Sequence, residues 1–214
     1  MLPLLNQDGY YYTWSNDRLW RKNRTSSVDG PCIGTDLNRN ADVAWGATGS
    51  SDNTCSQTYA GVSPFSEATL QHWKTALEYV DKLSDSKMMA YISMHSYSQK
   101  IISSYAVSKD EFPHDPFSID EMNEAGKAIS EAMTAVHGVK YEYGQSRDIL
   151  YPSAGTSKDY VLDEYKVPLS WTWELRDTGR YGFILPPEQI VPNYEEVRAG
   201  LKALVGYINE NYEI

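Results

Sequence analysis

The sequence predicts an α/β protein in which a sheet is covered by helices on both faces. Three observations carry that expectation. Strand-like runs alternate with helix-like runs along the chain, the order that builds layered α/β folds. Three segments place apolar residues at helical spacing, so that one face of each is buried. The run Pro168–Glu174, P-L-S-W-T-W-E, alternates bulky apolar with small polar groups and ends on a carboxylate, as a buried strand delivering an acid to its own end would.

Taken in order, Leu2–Leu5 reads as a strand closed by the turn Asn6-Gln7-Asp8-Gly9, and Tyr10–Trp14 as an aromatic extended segment. From Ser15 to Ser63 no period is sustained, and Gly, Ser, Asn and Asp recur. A loop of that length inside a compact domain is usually functional or disordered. A first helix is expected from about Ser66 to Leu83, capped by Ser66, with Leu70, Trp73, Leu77 and Val80 inward. Met88–Met94 reads as a buried strand ending at His95, and Ile101–Tyr105 as another.

A second helix is expected to start at the capping box Ser118-x-x-Glu121, to bury Met122, Ala125, Ile129, Met133 and Val136, and to stop at Gly138. Val139–Tyr143 then reads as a strand and Gln145–Ser157 as a loop. A last helix, capped by Asn193, carries Val197, Leu201, Leu204, Val205 and Ile208. No repeat or linker divides the chain, and 214 residues suit one domain.

Composition narrows the function. A net charge of −10 argues against nucleic acid and anionic membranes as partners, which need basic patches. No apolar run approaches a membrane span, and the opening Met1-Leu-Pro-Leu-Leu is too short for a signal peptide. Because the chain opens inside an apolar run with no lead-in, further N-terminal sequence is expected. Cys32 and Cys55, 55 − 32 = 23 positions apart, are either a pair or two free thiols. Asn23-Arg24-Thr25 has the pattern of a glycosylation acceptor, which would fit an oxidising, secretory setting.

Candidate chemistry sits at two strand ends, His95 and Glu174, since loops beyond the carboxyl ends of such strands usually hold the ligand. Arg18, Arg21 and Arg39 in the long loop are suited to grip carboxylates or polarised oxygens. Taken singly, each of these residues reads equally as a structural histidine, a strand-end acid or a surface charge.

The ordered runs N-Q-D-G-Y, D-R-L-W-R-K-N-R, D-L-N-R-N, S-M-H-S-Y-S-Q, L-Y-P-S-A-G-T-S-K-D and E-L-R-D-T-G-R-Y-G-F-I-L-P resemble the zinc metallocarboxypeptidases of the pancreatic A/B type. The resemblance runs from residue 1 to about residue 200. It implies the carboxypeptidase-like zinc-peptidase fold, an α/β architecture with a mixed central sheet, here without its N-terminal strands. Residues 1–214 would then be the C-terminal two-thirds of a single catalytic domain.

The resemblance also implies roles. His95 matches a zinc ligand, and Glu174 the general base of C-terminal peptide-bond hydrolysis. Arg21 matches the group that stabilises the developing oxyanion. Asn38, Arg39 and Tyr151 match the groups that hold the substrate's free α-carboxylate; Arg18 and Tyr97 match secondary subsites. Cys32 and Cys55 match the family's disulfide.

Two departures stand out. Seven residues after the tyrosine, since 158 − 151 = 7, the base of the side-chain pocket carries Lys158. A buried ammonium needs a negative partner, so a preference for C-terminal Glu or Asp is expected, with Ser146 and Thr172 as polar walls. Alternatively Lys158 turns to solvent or pairs with Asp159 or Asp163.

The second departure concerns the metal. The family's other two ligands come from a His-x-x-Glu motif, and none of His72, His95, His114 or His137 begins one. With one of three ligands the chain is expected to bind zinc weakly and to be inactive or severely impaired. Its open sheet edge would invite aggregation. Two readings result: a secreted, monomeric zinc exopeptidase acting on peptide or protein C-termini, or a non-catalytic binder of the same termini.

Overall fold

In a computed structural model of the chain, residues 1–26, 30–83, 88–112 and 114–213 are described; residues 27–29 of the long irregular region lie outside them. The elements run α1 (Gln7–Ser15), α2 (Ala68–Leu83), β1 (Ala90–Ser96), β2 (Lys100–Ser103), α3 (Ile119–His137), β3 (Glu142–Gln145), α4 (Ser146–Ile149), α5 (Ser157–Tyr165), β4 (Leu169–Leu175) and α6 (Ile190–Asn211). The strands form one mixed sheet in the order β1-β4-β2-β3. β1 is parallel to β4, β4 is antiparallel to β2, and β2 is parallel to β3.

The alternation read in β4 separates its two faces. Leu169, Trp171 and Trp173 are buried against Met122, Ala125, Ile129 and Met133 of α3 and Leu204 of α6. Removing about 150–250 Å² per tryptophan from water makes each worth about 4–6 kcal/mol of burial. The opposite face meets α2 and α5, where Leu70, Trp73, Tyr160 and Val161 gather with Tyr91 of β1. Helices therefore cover both sides of the sheet, as the sequence predicts.

Several local expectations fail. Leu2–Leu5 is not a strand, and Tyr10–Trp14 lies inside α1. The segment read as a turn is the helix start: the Asn6 side chain accepts from Gly9 N at 3.3 Å, and Asp8 occupies the first turn. Asn and Asp cap helices as readily as they make turns, so local cues could not separate the two. The capping box at Ser118 does not form; its hydroxyl donates instead to the carbonyl of Pro168 at 2.6 Å.

Helix α3 does end at Gly138, in the left-handed conformation with φ 74°. The expected loop 145–157 contains the short α4, and α5 was not foreseen. Helix α6 begins at Ile190 rather than at Asn193. Val80, Val136, Leu201 and Val205 are exposed, because the stripes run wider than the surfaces that cover them. β1 is only half buried, and Met94 is exposed.

Cys32 and Cys55 are joined in a disulfide that staples the long loop. Asn23 is not a glycosylation acceptor in this fold. It is 1% exposed, and its side-chain amide donates to Glu67 and Thr25 while its oxygen accepts the N–H of Thr35. No helix among the described residues is long and apolar enough to cross a membrane.

Candidate active site

The parity of the two central strands builds the site. Residues Tyr91, Ser93 and His95 of β1 stand beside Ser170, Thr172 and Glu174 of β4 in parallel register. Glu174 and His95 therefore emerge together at the carboxyl ends of neighbouring strands, with Nδ1 4.0 Å from Oε1. Beyond them opens a cavity of about 260 Å³.

The long loop brings up the positive groups. Asp36 caps the 3-10 turn Leu37–Arg39, accepting the N–H of Asn38 at 3.0 Å, and thereby sets Asn38 and Arg39 on the cavity wall. Arg39 is buried, its guanidinium donating to the carbonyls of Gly49 at 2.8 Å and Asn38 at 2.7 Å. The Asn38 side-chain oxygen accepts the N–H of Ser157 at 3.0 Å, tying this turn to the start of α5. Arg21 donates through Nε to Asp36 at 2.9 Å, and its Nη2 lies 2.8 Å from the same carboxylate oxygen.

The cavity collects His95, Glu174, Arg21, Asn38, Arg39, Tyr97, Ser146, Tyr151, Lys158 and Thr172. Arg18 is the exception. It stands behind the wall, donating to the carbonyl of Phe183 at 2.8 Å, and Phe183 itself lines the cavity and packs edge-on against Tyr97. Reasoning from sequence missed Phe183 and Thr156, although both lie in runs whose pattern is legible. It also missed Asp36, whose signal was an N-cap residue two positions before Asn38.

Lys158, 2% exposed, pairs with the adjacent Asp159 at 2.6 Å; Asp159 also accepts the N–H of Ala106 at 2.8 Å. Of the partners open to it, Lys158 thus takes Asp159. Burial lowers the Lys158 pKa, and Asp159 works against that fall. Burial also pushes Glu174 up to about 7, opposed by the positive charge of Arg21. His95 is pushed down to about 4 by burial, with Arg21 adding to the effect. At neutral pH His95 is therefore a neutral imidazole beside Glu174 and not one half of an ion pair.

The model for zinc carboxypeptidases matches residues 1–200. The chain belongs to the zinc carboxypeptidase family. It is 40% identical over 212 residues to human carboxypeptidase O, covering 99% of this chain and 54% of that protein. It is 41% identical over 215 residues to carboxypeptidase B of the crayfish Astacus astacus, covering 99% of this chain and 68% of the relative. Bovine thrombin-activatable fibrinolysis inhibitor, solved in complex with tick carboxypeptidase inhibitor, superposes with a TM-score of 0.91 at 36% identity, covering 98% of this chain and 69% of that one. The chain spans about half the length of the human carboxypeptidase O and B proteins it matches.

The family implies zinc, and the described residues do not assemble a site for it. Among the described residues no group of three or more His, Cys, Asp and Glu side chains is placed to hold a metal. Nδ1 of His95 lies 4.0 Å from Oε1 of Glu174, and its Nε2 shares a hydrogen bond with Ser93 at 3.0 Å. A catalytic zinc needs three protein ligands.

Proposed function

We propose that this chain carries the peptide-recognition side of a C-terminal exopeptidase. Residues 1–214 would be the C-terminal two-thirds of one catalytic domain. Asn38, Arg39 and Tyr151 would hold the substrate's terminal α-carboxylate, Arg21 would face the carbonyl of the bond to be cleaved, and Glu174 would serve as its base. Tyr97, with Arg18 behind Phe183, would contact the preceding residues. The observation that carries this reading is the assembly itself: Arg21, Asn38, Arg39 and Tyr151 line the same cavity as Glu174.

A preference for C-terminal Glu or Asp is proposed from the position of Lys158 in the cavity wall, against the counter-charge it already has. Lys158 has one counter-charge in Asp159, and Arg39 adds a second cation nearby. Thr172 and Ser146 offer hydroxyls on the walls. The disulfide supports a secreted, extracellular setting. We take the chain to act as a monomer.

Zinc is the expected cofactor of the family, and this chain is read as holding one of three ligands, His95. On its own it would bind zinc weakly and cleave little or nothing. The second reading is a non-catalytic binder of peptide C-termini; Glu174, Arg21 and Tyr151 on the cavity wall favour the first, because a pure binder has no use for the base. Both readings are tested by titrating the chain with peptides identical except for a terminal Glu, Phe or Lys, then assaying their cleavage. Tightest binding of the Glu peptide supports the pocket, and equal or tighter binding of Phe removes the acidic preference. Turnover decides between enzyme and binder.

A further inference from the structure

Asp177 closes the loop that follows β4 onto itself. Its Oδ1 accepts the N–H groups of Gly179 at 2.9 Å and Gly182 at 3.0 Å, and its Oδ2 accepts that of Tyr181 at 2.7 Å. The residue after this turn, Phe183, lines the cavity and is 52% exposed. It packs edge-on against Tyr97, with ring centroids 4.8 Å apart, and its carbonyl accepts from Arg18 at 2.8 Å. The Tyr97 ring lies against the turn that Asp177 holds. A Cβ at Gly182, whose φ is 58°, would come 3.1 Å from that ring, so the glycine allows the close approach.

We propose that Asp177 is the positioning residue that sets Phe183 and Tyr97 as an aromatic wall for the penultimate residue of a peptide, where the wall selects a large apolar or aromatic side chain. This rests on the reading that the cavity takes peptide C-termini, and adds to it a determinant beyond the terminal residue. Phe183 keeps half its surface uncovered, and a corner of two rings accepts a third ring by edge or face. The turn 178–182 that leads to it, T-G-R-Y-G, has two glycines in five residues, a backbone with wide freedom unless something fixes it. One carboxylate taking three N–H groups supplies that constraint, through charge-assisted bonds stronger than neutral ones. The wall is therefore ordered before a peptide arrives, and less affinity is lost to ordering it.

The test titrates the intact chain calorimetrically with two peptides identical except that one ends in Phe-Glu and the other in Ala-Glu. The Phe-Glu peptide should bind roughly tenfold more tightly, the size of one buried aromatic contact. Asp177→Asn puts an amide donor where a carboxylate oxygen received the N–H of Tyr181. It should cut the ratio to about threefold or less while the Ala-Glu affinity changes little, whereas a general loss of structure would weaken both peptides alike. The ring-current shift that Tyr97 gives the α-protons of Gly182 should shrink in the same variant. Phe183→Ala should remove the ratio, and Asp177→Asn should then add nothing further.

An Asp177→Asn chain that keeps the parent's ratio overturns the positioning role and leaves the peptide site standing. A parent that binds both peptides equally overturns the wall and the role of Asp177 with it. A parent that binds neither overturns the peptide site as well as the proposal. Should Asp177→Asn not fold, Gly182→Ala decides: it disturbs the same turn at one of its three N–H groups, and an unchanged ratio there overturns the proposal.

Discussion

His95 and Glu174 are register partners on adjacent parallel strands, and their side chains approach to 4.0 Å between Nδ1 and Oε1. With no three-ligand group among the described residues, a zinc titration of this chain should give neither saturating one-to-one uptake nor retention of the metal after dialysis. Stoichiometric, tight uptake abolished by His95→Ala would sink the reading of an incomplete ligand set.

The Lys158–Asp159 pair makes a prediction about stability as well as specificity. Asp159→Asn leaves a buried ammonium without its counter-charge and should cost about 3–5 kcal/mol in urea unfolding. Adding Lys158→Met should recover part of that loss, because the uncompensated charge goes with it. Lys158→Met alone should reduce the preference for a terminal Glu over Phe about tenfold or more, read as a ratio of binding constants.

Behind the site, Glu196 of α6 is fully buried and takes both a two-pronged contact from Arg176 and the hydroxyl of Tyr141 at 2.9 Å. Arg176 follows Glu174 by two residues, so this contact ties the end of β4 to α6. Glu196→Gln should destabilise the fold by about 3–5 kcal/mol, measured by denaturant unfolding at constant pH. A change within experimental error would show that the pair is dispensable.

Reduction of the disulfide, or Cys32→Ser with Cys55→Ser, should cost roughly 3 kcal/mol by releasing a loop of 23 residues in the unfolded chain. The effect is read as a shift in the unfolding midpoint between oxidised and doubly substituted protein.

Asp177 accepts the N–H groups of Gly179, Tyr181 and Gly182. Desolvation opposes them, but these donors prevail and hold its pKa below the ordinary carboxylate value. A group depressed in the folded state stabilises fully above the ordinary carboxylate range, and that contribution is lost as pH falls through the lowered value. The three amide resonances should therefore move together at pH below about 4, and Asp177→Asn should abolish that movement.

Much of the candidate site was legible because its residues sit in ordered motifs. The runs holding Arg21, Asn38, Arg39, His95, Tyr151 and Glu174 each contribute to one cavity. The strand β4 was legible because period-two alternation follows from strand geometry alone. The helix α5 was not, because Lys158 and Asp159, though buried, break the apolar period that marks the inward face of a helix.

The sequence by itself determined the α/β class, the family, the strand ends that carry His95 and Glu174, and the cysteines that pair. Those features rest on periodicity and motif, which are local along the chain. Only the tertiary structure decided that Asn23 is buried, that Ser118 bonds Pro168, that Lys158 takes Asp159, and that Asp36 stands behind Arg21 and Arg39. Each is a choice among several polar partners, and such a choice is fixed by which group packing brings within hydrogen-bond reach once water is excluded.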